Sequence, residues 1–482
     1  MKPFSKFMDL ASERAGGCVI AASDDFFALK ENLIKDADPV FIPGKHTDRG
    51  KWMDGWESRR RRTPGHDWAI VRLGIPGVIH GIVVDTSHFT GNYPECCSLE
   101  GCTADGNPGR EDLRDWLELL PSSRLHGDKQ NPFQISCAQR FTHLRLNIFP
   151  DGGVARLRVY GEALPDWQRL SAEIDLVSAE CGGTVVDSSD QHYGHPQNLI
   201  MPGRALDMSD GWETRRRRGP GHDWVILKLA AEGIIERVEV DTAHFKGNFP
   251  DRCSLEISPS IEGDSWSELL PETALQAHTR HIFHEELVRE QPARYVRFNI
   301  FPDGGVSRLR LFGYLTEHGH REASLKALNA VPADEAAADF LQCCGSKTWA
   351  TAMAAGRPYD SVEALEESAE RVWRKCSPQD WLEAFAAHPK IGQQSGGQWS
   401  RQEQSAVSAA DLDTLAGLAE ENRKYEEKFG HIFIVCATGK SAKEILDLLR
   451  ARLKHSSSEE MTQAGEEQLG ITRLRLRKLL SE

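Results

Sequence analysis

The sequence predicts a multidomain protein: two tandem all-β sandwiches followed by an all-α helical domain. Three observations carry that expectation. Long segments of the N-terminal part occur twice in one order. Polar and apolar residues alternate there between closely spaced turn signals. After Gly313 the composition turns to Ala, Glu, Leu and Gln, with apolar residues at helical spacing. At 482 residues the chain is long enough for about three domains, each with its own core. They are read as 1–165, 166–318 and 319–482.

The duplication is explicit. Residues 54–68 read DGWESRRRRTPGHDW and residues 210–224 read DGWETRRRRGPGHDW, an offset of 156. Asp85-Thr86-Ser87-His88-Phe89 with Asn92 and Pro94 recurs at the same offset as Asp241-Thr242-Ala243-His244-Phe245 with Asn248 and Pro250. NIFPDGGVARLRVYG at 147–161 returns as NIFPDGGVSRLRLFG at 299–313, offset by 152. Each copy opens on a glycine pair and a short β-rich run, 16–23 and 182–189. Strands are expected at Trp68–Leu73, Ile79–Asp85 and His143–Ile148, and at Trp224–Leu229, Ile235–Asp241 and Tyr295–Ile300. Many short strands at this spacing suit an antiparallel sandwich.

Composition removes several function classes. A formal charge of −14 argues against a nucleic-acid or anionic-membrane partner. The 11 cysteines are odd in number, with adjacent pairs at Cys96-Cys97 and Cys343-Cys344 and no C-x-x-C, so reduced thiols in a cytoplasmic compartment are expected. The apolar patch from Cys18 to Ala22 is too short for a signal or a span, and the LLSE ending is no peroxisomal address. The expectation is a homo-oligomer acting on small molecules, without cofactor or metal.

The polar residues present in both copies are the candidates for chemistry. The arginine forks of Arg59 and Arg61, of Arg215 and Arg217, and of Arg156 and Arg308 suit bidentate binding of a carboxylate. Acidic neighbours at Asp54, Glu57 and Asp67 favour pairing within the chain over phosphate binding. His66 and His222, each before Asp-Trp, suit acid–base work or serve as satisfied loop histidines. Asp85 with His88 and Asp241 with His244 fall at strand ends, where a pocket or an Asx-turn can form. Asp67, Asp223, Asn92 and Asn248 complete the set. Asp151-Gly-Gly and Asp303-Gly-Gly read as turns, and Trp52, Trp56, Trp68 and Trp116 as core.

DGWE-x-RRRR-x-PGHDW, DT-x-HF-x-GN-x-P and PDGG-V-x-RLR resemble the repeated motifs of the allantoicase family over residues 14–318. The resemblance implies a pair of galactose-binding-like jelly-roll sandwiches that convert allantoate and water to ureidoglycolate and urea. Such a reaction needs a carboxylate clamp, an acid for departing urea and a base for water. Arg59, Arg61 or Arg156 would clamp, His66 or His88 would protonate, and Asp67 or Asp85 would orient or deprotonate. The second copy would use Arg215, Arg217 or Arg308 with His222, His244, Asp223 and Asp241. A rival from another class is a tandem sandwich that only binds a ligand, fused to an enzyme.

In the third unit, Val362, Leu365, Ala369 and Val372 share one helical face. Asp360-Ser361, Ser377-Pro378 and the Ser441–Glu444 capping box mark helix starts. His388 precedes Pro389 at a helix end, where an imidazolium is favoured. Ser400 and Glu403 also fit a capping box. AHPKIG at 387–392, WS-x-x-EQ at 399–404, EN-x-x-Y-x-x-x-FG-x-x-FIVCATG at 421–439 and IT-x-LRL at 471–476 resemble the OHCU decarboxylase family, where OHCU is 2-oxo-4-hydroxy-4-carboxy-5-ureidoimidazoline. The resemblance implies cofactor-free decarboxylation to (S)-allantoin, with His388 and Glu403 catalytic and Pro389, Ser400, Gln404 and Arg475 in the pocket. Arg473 and Arg477 compete with Arg475 for the last position.

Overall fold

The computed structural model describes residues 4, 7–104, 106, 108–167, 170, 173–262, 266–288, 291–390, 399 and 412–481. It divides into two compact units, Met1–His320 and Arg321–Glu482, with the division inside the helix Glu317–Ala330.

Each repeat of the first unit is built on one 19-residue strand, Asp67–Asp85 or Asp223–Asp241. The sequence suggests two strands in each place, but the chain stays extended through Gly74-Ile75-Pro76-Gly77. The first half of Asp67–Asp85 lies between Cys18–Ala22 and Arg140–Phe149, and its second half between Gln130–Gln134 and Arg156–Ala163. One strand therefore serves both layers of the sandwich, as strands do at the corner of orthogonal sheets. Close approach explains the glycines there. A Cβ on Gly77 would stand 2.0 Å from the Glu162 carbonyl oxygen, and one on Gly74 2.3 Å from that of Ala15.

The ladder continues outward from Arg140–Phe149 to Cys96–Cys102 and then to Leu117–Arg124. Alternation along a strand separates two faces. Leu144, Leu146 and Ile148 enter the core with no exposed surface, and His143, Arg145 and Asn147 take the opposite face. The second repeat places Arg297 and Asn299 likewise between Ile226 and Glu256 and between Trp224 and Ser254.

Within this unit the buried apolar residues of both sandwiches form one continuous cluster. Arg14 of the first repeat also pairs with Asp210 of the second. Trp56 is fully buried and donates its indole N–H to the Asp24 carbonyl at 2.8 Å. The Asp151-Gly-Gly turn is tight: Gly152 has φ 141°, and a Cβ there would meet the Asn92 carbonyl oxygen at 2.8 Å.

The second unit shows helices at Ala333–Cys344, Lys347–Ala355, Val362–Trp373, Pro378–Ala386, Leu412–Phe429, Ala442–Arg452 and Ser457–Leu479. Ser361 caps one of them, and Ser377 with Asp380 and Ser441 with Glu444 form capping boxes, as the sequence suggests. A further box at Ser456 and Glu459 starts the last helix. Among the described residues, no helix is long and apolar enough to cross a membrane.

Candidate active sites

The outer sheet face of each repeat carries a polar cleft. In the first it encloses about 500 Å3 and is lined by Arg61, His66, Trp68, Ser98, Glu100, Glu118, Arg145 and Asn147. The strand register produces this row: Arg145 stands opposite Glu100, Glu100 opposite Glu118, and Asn147 between Trp68 and Ser98. Arg145 Nε donates to Glu100 Oε2 at 2.6 Å, and Asn147 Nδ2 donates to the same oxygen at 2.9 Å and to Ser98 Oγ at 3.1 Å. The Arg145 hydrogen bond, aided by that of Asn147 and opposed by burial, holds the Glu100 carboxyl below its ordinary range. The His66 ring lies 4.7 Å from that of Phe149.

The second repeat reproduces the arrangement around about 770 Å3, with His222, Trp224, Ser254, Glu256, Glu268, Arg297 and Asn299. Asn299 Nδ2 donates to Glu256 Oε2 at 3.1 Å and to Ser254 Oγ at 3.2 Å, and Arg297 lies 3.4 Å from Glu256. Here His222 Nε2 also reaches Asn299 Oδ1 at 3.2 Å.

Of the residues singled out from sequence, the clefts bring in His66, His222 and Arg61. The other candidates are held elsewhere. Asp67 accepts from Ser23 and Arg61, and Asp223 from Ser189 and Arg217, so these pairs brace the start of the long strand. Arg59 binds Asp24, and Arg215 contacts His192. The arginine run is an extended loop without strand pairing. Arg156 and Arg308 are engaged within the chain, and Arg308 also lines a further cavity of about 240 Å3 with Asp241. Each is buried, Arg156 bonded to Asp54 and the Ala37 carbonyl, Arg308 to Asp210 and the Gly203 carbonyl.

The Asp-Thr-x-His-Phe loops follow the Asx-turn alternative. Asp85 and Asp241 accept from the backbone N–H two residues on, at 2.8 Å each. His88 and His244 adopt left-handed φ of 70° and 72°, and their Nε2 atoms meet the carbonyls of Pro39 and Ala205. Neither histidine lines the polar cleft of its repeat. Asn92 and Asn248 donate to Glu57 and Glu213. Trp68 and Trp116 pack against the small core cluster of Ile70, Cys102 and Leu113, as the sequence suggests, and their outer sides serve the cleft: Trp68 lines it, and Trp116 lies beneath Arg145 at 4.7 Å. Trp266 holds the same place under Arg297 at 4.3 Å.

Glu100, Arg145, Asn147 and Ser98 escaped the sequence reading, although a signal was available. Cys97-Ser98-Leu99-Glu100 recurs as Cys253-Ser254-Leu255-Glu256, and Arg-x-Asn recurs at 145–147 and 297–299. Among the described residues, no group of three or more His, Cys, Asp or Glu side chains is placed to hold a metal ion.

In the helical unit, His388 follows the helix Pro378–Ala386, and its backbone N–H bonds the Phe385 carbonyl at 3.1 Å. Pro389 follows it, half-buried. The three arginines of the last helix separate physically. Arg473 pairs with Glu370 and Arg477 with Glu366, whereas Arg475 is buried. Ser400, Glu403 and Gln404 lie outside the described residues.

Comparison with known proteins agrees with the division of the chain. The allantoicase repeat family matches residues 8–164 and 174–316, and the OHCU decarboxylase family matches residues 329–477. A probable allantoicase of Burkholderia mallei is 49% identical over 323 residues, covering 64% of this chain and 95% of that one. One of Pseudomonas paraeruginosa is 50% identical, covering 64% of this chain and 97% of its own. The crystal structure of allantoicase from Saccharomyces cerevisiae is 36% identical with a TM-score of 0.56, covering 64% of this chain and 93% of that one. The chain belongs to the allantoicase family and joins two allantoicase repeats to an OHCU decarboxylase domain, a hydrolase–lyase fusion of purine catabolism.

Proposed function

We propose that residues 14–318 hydrolyse allantoate to (S)-ureidoglycolate and urea in the two polar clefts, and that residues 320–482 decarboxylate OHCU to (S)-allantoin. The observation that carries the hydrolytic assignment is the repetition of Glu, Arg, Asn, Ser and His side chains around the clefts of both repeats. The carboxylate kept ionised by Arg145, Glu100, takes a proton from water. The water oxygen bonds to the central carbon of allantoate as one C–N bond breaks, and His66 supplies the proton that leaves with urea. Arg61 and Arg145 offer guanidinium groups to the substrate carboxylate. Glu256, His222 and Arg297 act likewise in the second repeat.

In the helical unit, loss of CO2 leaves an electron pair on a ring carbon that the adjacent imine and carbonyl groups delocalise. His388 protonates one face of that carbon, which sets the (S) configuration, and Arg475 holds the substrate. Glu403, Gln404, Ser400 and Pro389 complete this pocket by their match to the family motif. We assign the three domains to 1–165, 166–318 and 319–482. The chain works in the cytoplasm, a placement supported by its eleven unpaired cysteines. It acts there as a homo-oligomer, checked by light scattering. The functional test is to supply allantoate and OHCU separately to the full chain and to its His388→Ala variant. Urea release by both, with decarboxylation by the unmodified chain alone, supports the two assignments; loss of both activities in a folded variant contradicts them.

A further inference from the structure

The cavity of about 240 Å3 beside Arg308 and Asp241 belongs to the second repeat, and Arg204, Glu239, Arg280, Arg310 and Phe312 line it further. Most of its charged groups are already engaged. Glu239, 4% exposed, accepts from Arg237 on one oxygen and from Arg280 on the other. Arg308 is held by Asp210, and Arg310 by Asp175 at 3.4 Å and by the Met201 and Gly203 carbonyls. Burial lowers Arg308 to about 10, and the nearby charge of Asp241 offsets part of that, so its guanidinium is ionised at neutral pH.

Three groups keep capacity for a ligand. Asp241 is 6% exposed; its Oδ1 accepts the Ala243 N–H, and its Oδ2 meets only Arg204, at 3.8 Å. That distance is too long for a hydrogen bond. Among the described residues, Arg204 makes no hydrogen bond, and Arg280 donates Nε and Nη2 to Glu239 while Nη1 stays unpaired.

The first repeat carries different residues at these places. Arg308 Nε donates to the Gly203 carbonyl as Arg156 Nε does to that of Ala37, so Arg204 takes the position of Asp38. Arg280 stands opposite Asp241 where Gln130 stands opposite Asp85, and Glu239 opposite Arg310 where Val83 stands opposite Arg158. Arg204, Glu239 and Arg280 therefore belong to the second repeat alone, and a duplicated hydrolytic role does not account for them.

We propose that this cavity is a binding site for a small carboxylate bearing an N–H group on the adjoining carbon. Arg204 and Arg280 donate to the carboxylate, and Asp241 Oδ2 accepts the N–H. Glu239 is a positioning residue: bridging Arg237 and Arg280, it fixes the Arg280 guanidinium at the cavity wall. The site stands on these contacts and does not depend on the assignment of the hydrolytic clefts.

The test is calorimetric titration of the full chain with N-carbamoylglycine, a carboxylate whose neighbouring carbon bears a ureido N–H. Arg204→Asp and the double variant Glu239→Val/Arg280→Gln are titrated beside it. These substitutions install the first repeat's residues, and circular dichroism reports that the variants are folded. The expected result is one more N-carbamoylglycine bound per chain in the unmodified protein than in either variant. Equal stoichiometry in all three overturns the proposal. So does equal affinity of the site for propionate, which lacks the N–H and makes no use of Asp241.

Discussion

Arg145 Nε donates to Glu100 Oε2 at 2.6 Å across neighbouring strands, and Arg297 faces Glu256 in the same register at 3.4 Å. The contact keeps Glu100 ionised, and the adjacent Asn147 prevents its carboxylate from rotating away. If this carboxylate is the base, Glu100→Gln lowers urea release through the first cleft by about 100- to 10,000-fold. Total activity then falls only to the share of the second cleft. Separate kcat measurements on Glu100→Gln and Glu256→Gln report those two shares.

The same contact sets the acid side of the pH profile. Arg145 holds Glu100 below the ordinary carboxylate range, so the ionised base persists as pH falls and disappears only on its protonation. Arg145→Gln removes the main cause. With Glu256→Gln present to silence the second cleft, the acidic limb of kcat/KM moves to higher pH. An unmoved limb assigns the base elsewhere.

Asp9 and Asp175, in equivalent places, are pushed up to about 6 by burial, which outweighs their backbone hydrogen bonds and the nearby Arg158 and Arg310. Each carboxyl therefore binds its proton more tightly folded than unfolded. Its contribution to stability is complete below 3.8 and is lost as pH rises through about 6. The effect is on the order of 1–3 kcal/mol per group. Asp9→Asn with Asp175→Asn should narrow the difference in Tm between pH 5 and pH 7.5.

Arg156 reads from sequence as a clamp, yet in the fold it is a buried partner of Asp54. Arg156→Ala takes the buried guanidinium partner from that carboxylate, leaving it the Val40 N–H and Lys35 at 3.8 Å, and the expected loss is about 3 kcal/mol of stability. Chemical denaturation measures it. A folded variant of unchanged stability but much raised KM for allantoate would return Arg156 to the binding site.

Much of this architecture was legible because its signals are local. The repeats, the helix caps at Ser361, Ser377 and Ser441, and the helix end before His388 each follow from a few adjacent residues. The cleft was not local. Glu100, Arg145 and Asn147 meet through the register of three strands distant in sequence, and alternation shows which face each takes but not which strands adjoin. The most conspicuous motif mixes two demands. In DGWESRRRRTPGHDW, Asp54 and Asp67 pair with arginines and Trp56 is core, as the sequence suggests, while Arg61 and His66 line the cleft. A long repeated motif can thus report the demands of folding as readily as those of chemistry. Arg475 separates from Arg473 and Arg477 only because the latter two meet Glu370 and Glu366.

That separation carries its own expectation. Arg475→Ala should abolish decarboxylation of OHCU, whereas Arg473→Ala and Arg477→Ala remove surface pairs and keep most of it. Comparable losses in all three variants would mean that the burial of Arg475 has no bearing on substrate binding.

The central claim is tested most directly by urea release from allantoate in the Glu100→Gln/Glu256→Gln double variant, with OHCU decarboxylation followed on the same sample. The expected result is loss of urea release to the background of the assay, with decarboxylation at the unmodified rate. Urea release at the unmodified rate from that protein would show that the sheet-face clefts are not where allantoate is cleaved.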